Sequence, residues 1–483
     1  MILHLNHTRR DSIITTTNEV VSTLLSLVDE GCLQAERFAR MRIHLDWLQY
    51  KQNFREPVLV LQTAGEQAEG PASMEIRIDS RQVTAGSLRD PLKRALEASN
   101  SGSARGRDRI YLEEFQSFRT SIAWEFNRLY WQRLKDWEHA TGKSYEKALP
   151  GGQSDGNRPE AINDSVSDLW ALLRELDSKN QLPPEIFLLE IGVGTGIRAG
   201  LFLDRFRDLD KEKGTSYYPR LRFLLGDYSL STLERSRPAV QSHVDLCSFI
   251  ALDALDPLRT LSFLRHKILY VHLTNTYDNL PDEEVVWRNG RIYWVQVRAY
   301  ISAADATRIS CDCDVPEADL PRAVKRLLEV GAEALPDRAK GMRFWMEIWN
   351  AMRTEERLEN MLELPDVSFP AGLSIPQMED ILKGAPDDLR FHLSSGALES
   401  FRNTLPLLHP RGYLQVQDIF VTDLNDYSMG FYGPGKLEGS IVSWVNGALL
   451  REVAERGGYD LHFAPYTYRP GSKTSILYTT RRE

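Results

Sequence analysis

The sequence predicts an α/β fold. It should hold a doubly wound, mostly parallel sheet of seven strands, with a large insertion after the fourth strand and an appended N-terminal α+β and helical region. Three observations predict it. From residue 186 onward, apolar runs alternate with helical stretches, the pattern of a parallel sheet wrapped by helices. The first run, IFLLEI, opens directly into GVGTG, a glycine turn of the kind that joins a strand to a helix where a ligand approaches the backbone. After the fourth run the alternation is interrupted by EEVVWRNGRIYWVQVRAYI, whose Asn289-Gly290 pair is a strong hairpin signal.

Taken in order, residues 1–105 read as an appended module: a helix over about 18–50, strand-like runs PVLVLQ and MEIRID, then the small and polar linker EASNSGSARGRD. Residues 106–180 read as a helical lid. Phe115, Phe118, Ile122, Phe126 and Leu129 fall at helical spacing within 110–139, and Trp124, Trp131 and Trp137 widen the stripe. Such a stripe is packing surface rather than a cofactor box. ALPGGQSDGNRPE breaks this pattern, and a helix over about 165–179 leads through Pro183-Pro184 into a main domain, 181–483.

There the runs 186–191, 221–226, 247–252, 268–274 and 413–419 supply five strands. Residues 284–392 form the inserted substrate cap, opened by the hairpin and mostly helical from about 317 to 388. A helix carrying Ile441, Val445, Ala448, Leu449 and Val453 on one face stops at Gly457-Gly458. LHFAPYTY and TSILYTT then close the chain as paired strands.

The 483 residues are 42% hydrophobic and 26% charged, the profile of a globular protein with a large core. The net charge of −9 provides no basic field for a phosphate backbone, so no nucleic-acid partner is expected. Cys32, Cys247, Cys311 and Cys313 form no C-x-x-C pair; neither a disulfide framework nor a metal site is expected, and CDCD reads as a solvated loop. No basic-then-apolar leader opens the chain, Asp11 and Glu19 are foreign to a mitochondrial presequence, and no apolar run approaches the roughly 18 residues of a membrane helix. A cytoplasmic, reduced protein without membrane contact is expected.

Gly192, Gly194 and Gly196 make the turn after the first strand. A dinucleotide fold wants G-x-G-x-x-G, whereas here the third glycine comes one residue early and Glu190 lies two residues before the first. A carboxylate there repels a diphosphate. It suits a ligand with a cationic ammonium, such as the methionine half of S-adenosylmethionine, either directly or through water. The next two strand ends extend the case. In RFLLGDYSLSTL, Asp227 can accept both hydroxyls of a ribose, and Ser229 begins a helix as its N-cap. In FIALDALDPL, Asp253 can take an adenine amino group while the backbone N–H of Ala254 meets a ring nitrogen.

E-x-G-x-G-x-G, Asp227, Asp253 and the closing strand pair resemble the class I S-adenosylmethionine-dependent methyltransferases over residues 182–480, the insertion apart. After the fourth strand, LTNTYDNLP is similar to the N-E-F-F-D-A-L-P signature of MidA-like methyltransferases, a group that includes the mitochondrial complex I assembly enzyme acting on a protein arginine. GDYS is similar to that group's V-E-x-S, and the tryptophan-bearing hairpin stands where those proteins also carry an insertion. Asn275, Asp278, Leu280 and Pro281 hold their places, but Thr276 replaces the glutamate and Tyr277 the first phenylalanine.

The resemblance implies a Rossmann-like methyltransferase sheet, S-adenosylmethionine as cofactor, and a protein side chain or a sizeable small molecule as methyl acceptor. It places Asn275, Tyr277 and Asp278 at the acceptor, Asp278 as base or as holder of a cationic acceptor, with Asn275 also near the cofactor. Further candidates are Asp418 and the MGFYGPGK loop with Phe431 and Tyr432, while His272 reads as a core residue and LPGGQSDG as a cover over the cofactor. Because Thr276 stands in the glutamate's place, the alternative is a non-catalytic S-adenosylmethionine-binding assembly or interaction factor with the same fold.

Overall fold

The computed structural model describes residues 2–6, 13–46, 48, 50, 52–63, 74–82, 86–100, 108–363, 369–429 and 433–482. The chain forms two compact units: Met1–Leu129 with Pro281–Leu393 and Asp423–Trp444, and Tyr130–Leu280 with Ser394–Thr422 and Val445–Glu483. No helix among the described residues is long and apolar enough to cross a membrane.

The second unit holds the predicted sheet. Its strands are β1 (Ile186–Ile191), β2 (Leu221–Asp227), β3 (Cys247–Ala251), β4 (Ile268–Thr274), β5 (Leu408–Asp418), β6 (Tyr459–Pro465) and β7 (Ser475–Arg481). They lie in the order β3-β2-β1-β4-β5-β7-β6, parallel from β3 to β5, with β7 antiparallel to both neighbours. This is the seven-stranded mixed sheet of a Rossmann-like methyltransferase fold. β1 and β4 are central and almost wholly buried, which is why IFLLEI and ILYVHLT read as continuous apolar runs rather than alternating ones. The winding reverses between β1 and β4, so a crevice opens at the carboxyl ends of these strands.

Helices α1 (Pro159–Ser178), α2 (Ile197–Lys213), α3 (Leu230–Ser236), α4 (Pro257–Leu261), α5 (Ser395–Thr404) and α6 (Gly447–Arg456) cover the sheet. Val166, Leu169 and Leu173 of α1 and Phe202 and Phe206 of α2 share one buried cluster with Phe223 and Tyr270. α1 starts earlier than expected because Pro159 occupies its first turn. α6 starts later: the Asn446 side chain accepts the Leu449 N–H at 3.0 Å and fixes the N-terminus there. Val445 therefore lies in a short strand, as does Ile441, in Ser440–Val442 of the first unit.

The first unit is built on a ten-stranded sheet. Its main path runs Ile2–Asn6, Arg42–Asp46, Glu75–Asp79, Val58–Thr63, Arg353–Asn360, Arg291–Ser302, Glu284–Arg288 and Leu389–His392. The parallel pairing of Val58–Thr63 with Arg353–Asn360 joins the N-terminal strands to the insertion in one sheet. The expected hairpin is present, with Asn289 at φ +51° and Gly290 at φ +70°.

Other local expectations give way. The helix expected over 18–50 divides into Ile13–Asp29, Ala35–Arg40 and the strand Arg42–Asp46, with Gly31 at φ +73° in the first break. The helix expected from 110 begins at Ile122, because the Glu113 carboxylate accepts the Ile122 N–H at 2.7 Å, and Phe115 and Phe118 precede it. The expected lid is shared out: residues 108–129 belong to the first unit and 130–180 to the second. CDCD is no loop, since Cys311 and Cys313 close the helix Ala303–Cys313. Residues 101–107 of the expected linker lie outside the described residues.

Buried charges stitch the first unit's sheet. Arg390 pairs with Glu284 and, at 2.6 Å, with Glu356, which also receives Arg55 Nε at 2.7 Å. Burial raises the Glu356 carboxyl, but Arg390 and Arg55 outweigh it and hold the group down at about 2. A depressed carboxylate stabilises the fold above its unfolded value of 4.5 and loses that contribution as the pH falls toward about 2. Arg390→Met should cost about 3–5 kcal/mol, because it leaves two buried carboxylates undercompensated. Denaturant unfolding at neutral pH measures the loss, and the difference from wild type should shrink on acidification through that window.

Candidate functional site

Gly192, Gly194 and Gly196 adopt φ of +78°, +56° and +74°, a region in which an L side chain is strained. The N–H groups of Gly192 and Val193 donate to the Gly226 carbonyl at 2.9 and 3.1 Å, tying the turn to the end of β2. A Cβ on Gly192 would stand 2.7 Å from Thr276 Oγ1, and one on Gly196 2.8 Å from Ser236. A Cβ on Gly194 would meet nothing closer than 4.0 Å, so this is the open position.

Glu190, offered by the sequence to a ligand ammonium, has another partner. Its carboxylate is 4% exposed and receives Arg198 Nη1 at 2.9 Å, from the first turn of α2. Arg198 Nη2 donates to the Tyr270 hydroxyl at 2.6 Å, and that hydroxyl donates to Gln415 Oε1 at 2.7 Å. His272 continues this chain inside the sheet, with Nδ1 2.9 Å from Gln415 Oε1 and Nε2 2.6 Å from Thr274 Oγ1. Burial holds its pKa well below the usual value, so it is the satisfied, neutral core residue expected. Glu190 is thus an anchor between β1 and α2.

Asp227 ends β2 and is half-buried. Oδ1 accepts the Ser229 N–H at 3.0 Å and Oδ2 the Gly194 N–H at 3.3 Å. No ion-pair partner meets it among the described residues, and burial pushes its carboxyl up to about 6 against the pull of these N–H groups. Ser229 is the predicted N-cap, its Oγ accepting the Thr232 N–H at 3.3 Å. Asp253 is exposed after β3 and accepts the Leu255 N–H at 2.9 Å, with Ala254 half-buried beside it.

The residues after β4 are gathered by Asp418, at the end of β5 and 0% exposed. Its Oδ2 accepts the N–H groups of Thr276, Tyr277 and Asp278 at 3.1, 2.9 and 3.3 Å, and its Oδ1 that of Ile419 at 2.8 Å. Asn275, at φ +48°, makes the reversal possible; its N–H donates to the Gln417 carbonyl at 3.0 Å. Asp278 is 7% exposed and accepts Asn279 Nδ2 at 2.7 Å. Burial raises the Asp418 carboxyl to about 7, and burial together with the Asp418 charge raises that of Asp278 well above the usual range. Tyr277 is buried against α5, its hydroxyl beside Ser400 and, among the described residues, without a hydrogen bond of normal geometry.

Residues that the sequence did not single out complete the crevice. Glu146 accepts Thr195 Oγ1 at 2.9 Å, Gln132 Nε2 donates to the Tyr228 hydroxyl at 2.9 Å, and Arg235 pairs with Glu138 at 2.6 Å. The ring of Tyr145 is half-buried and its hydroxyl fully so, facing Asp278, Asn279 and Asp418 without a bond of normal geometry. From LPGGQSDG, Gly156 packs on Thr274, and Asp155 is fixed by Arg469 at 2.6 Å, Ser472 at 2.8 Å and Thr474 at 2.9 Å. Phe431 and Tyr432 lie outside the described residues.

No protein-family model matches the sequence, and no curated protein matches it significantly. Among solved structures, the chain is similar to a COG1565 superfamily member from Burkholderia thailandensis bound to S-adenosyl-homocysteine, at 13% identity and a TM-score of 0.43 over 80% of this chain and 92% of that one. A native structure of a COG1565 superfamily protein from the same organism gives 12% and 0.41 over the same shares. The trans-methyltransferase CalH, in complex with SAH, gives 13% and 0.29 over 63% of this chain and 54% of its own. With every TM-score below 0.5, no residue's role is carried over from these proteins.

Asp227 should titrate near pH 6 rather than near 3.8. Carboxyl-carbon NMR, with the signal assigned by its loss in Asp227→Asn, measures the midpoint; one near 3.8 would show the group to be solvated.

Proposed function

We propose that the second unit binds S-adenosylmethionine and directs its methyl group to an acceptor held at the carboxyl end of β4. The observation that carries this reading is Asp227. One carboxylate spans the glycine turn and the start of α3, is bonded among the described residues only to backbone N–H groups, and keeps lone pairs for ligand hydroxyls. Gly194 is the one glycine of the turn whose Cβ direction is open, which suits close approach of a ligand. In this reading Gly192, Gly194 and Gly196 form the wall for the amino-acid half, with Glu190 acting through the turn that it anchors. Asp227 and Ser229 hold the ribose edge, Asp253 and Ala254 the base, and Asn275 closes the fourth side.

When bound, S-adenosylmethionine supplies an activated methyl on a sulfonium sulfur. The chain's own task is to align the acceptor, remove its proton and keep water out. Asn275 and Tyr277 orient the acceptor, and Asp278 takes the proton that leaves it. Tyr145 and Glu146 cover the site from the N-terminal side. The acceptor is a protein side chain or a sizeable small molecule, and the full burial of Asp278 and Tyr277 favours a group that enters a pocket over one lying on a surface.

Calorimetric titration should show S-adenosylmethionine binding that Asp227→Ala weakens at least about tenfold, equivalent to ~1.4 kcal/mol. Asp278→Asn should keep the binding and lose about a hundredfold or more of methyl incorporation from labelled cofactor into cell extract. Absence of binding to both S-adenosylmethionine and S-adenosylhomocysteine, or undiminished binding by Asp227→Ala, would overturn the proposal.

A further inference from the structure

Asp278 and Asp418 are both buried at the turn after β4. Asp418 is 0% and Asp278 7% exposed, the backbone N–H of Asp278 donates to Asp418 Oδ2 at 3.3 Å, and the Asp418 charge is felt at the Asp278 carboxyl. Among the described residues, no Lys, Arg or His side chain pairs with either. The groups facing them are Tyr277 from the same turn and Tyr145 from the one-turn helix Tyr145–Ala148, with Asn279 alongside. α5 contributes Ser400, beside the Tyr277 hydroxyl, and β7 contributes Ser475, opposite Asp418 in register. Both phenols are pushed above their usual range by burial and stay neutral at physiological pH. Among the described residues the buried hydroxyls of Tyr145 and Tyr277 make no hydrogen bond of normal geometry, with Asn279 beside the first and Ser400 beside the second, and Tyr277 is 2% exposed. Two buried hydroxyls with weakly met donors, beside two buried acids that no cation meets among the described residues, mark a place that a ligand completes.

Two carboxylates sharing one dry site cannot both ionise freely. We infer that Asp278 and Asp418 act as a pair that shares one proton and gives it up when a cation arrives, so that the pair distinguishes a sulfonium ligand from its neutral thioether product. The inference rests on the methyltransferase reading, which sets the cofactor's sulfur beside the turn after β4. Asp278 is the member nearer the acceptor. Asp418 is a positioning residue: its four N–H bonds fix the turn, and its charge governs the proton on Asp278.

The sign follows from linkage. With the pair singly protonated it carries one negative charge, and loss of that proton as the pH rises gives it a second. The second charge favours a sulfonium and does nothing comparable for a thioether. Asp227 meets the ribose in both ligands, so its own titration near pH 6 cancels when the two are compared.

The test is calorimetric titration of wild type, Asp278→Asn and Asp418→Asn with S-adenosylmethionine and with S-adenosylhomocysteine between about pH 6 and pH 8, in buffers of different ionisation enthalpy. In wild type, the preference for S-adenosylmethionine should rise about three- to tenfold across this range, with up to about one more proton released than with S-adenosylhomocysteine. Either asparagine variant should flatten both differences. Titration of the ligands themselves is common to wild type and variants, so it drops out of that comparison. Identical pH dependence in wild type and in whichever asparagine variant folds would overturn the pair. Failure of wild type to bind either ligand would instead overturn the cofactor reading on which the pair rests.

Discussion

One buried carboxylate organises the turn after β4. Asp418 could have been balanced by an arginine, as Glu190 is by Arg198; instead four backbone N–H groups do the work. The choice has a geometric consequence. Three of those N–H groups come from consecutive residues, so the chain after β4 must curl around a single oxygen, and Asn275 has to enter at φ +48° to begin the curl. It also has an electrostatic consequence. N–H dipoles stabilise a carboxylate without cancelling its charge, so the neighbourhood stays negative and Asp278, carried into place by the same curl, is hard to ionise.

The acids on β1 and β2 show the contrast. Glu190 is paired with Arg198 and belongs to a polar chain that runs inside the sheet through Tyr270, Gln415 and His272 to Thr274. Such a chain rigidifies the strands around the glycine turn. Asp227 is held, among the described residues, only by N–H groups and keeps acceptor capacity. Acids at adjacent strand ends therefore divide into one that builds the platform and others that face the crevice.

Much of this was legible in the sequence, for identifiable reasons. Strands buried on both faces give unbroken apolar runs, so β1, β2 and β4 could be placed closely, and residues at their ends could be assigned to the crevice. Asn289-Gly290 fixed its hairpin by local turn chemistry. Pairing between distant segments leaves no such local trace. Nothing in PVLVLQ announces that Val58–Thr63 will pair with Arg353–Asn360, so the N-terminal module and the insertion read as separate pieces. In the site, Arg198 was hidden because an arginine on a helix reads as a solvated face, and Tyr145 because a one-turn helix has no periodicity to display. The helical stripe over 110–139 failed for a related reason: Glu113, a single side chain, decides where the helix can start.

The glycine turn is also more divided than its spacing implies. Gly192 is small because Thr276 crosses it and Gly196 because Ser236 lies against it, so two of the three glycines answer to packing and only Gly194 opens outward. This changes the meaning of Thr276. Where the MidA-like signature carries glutamate, this chain has a side chain whose hydroxyl lies over the first glycine and donates to the Thr274 carbonyl at 3.1 Å. The position faces the glycine turn. A longer acid there would press on the turn itself, so threonine at 276 bears on how closely the turn packs.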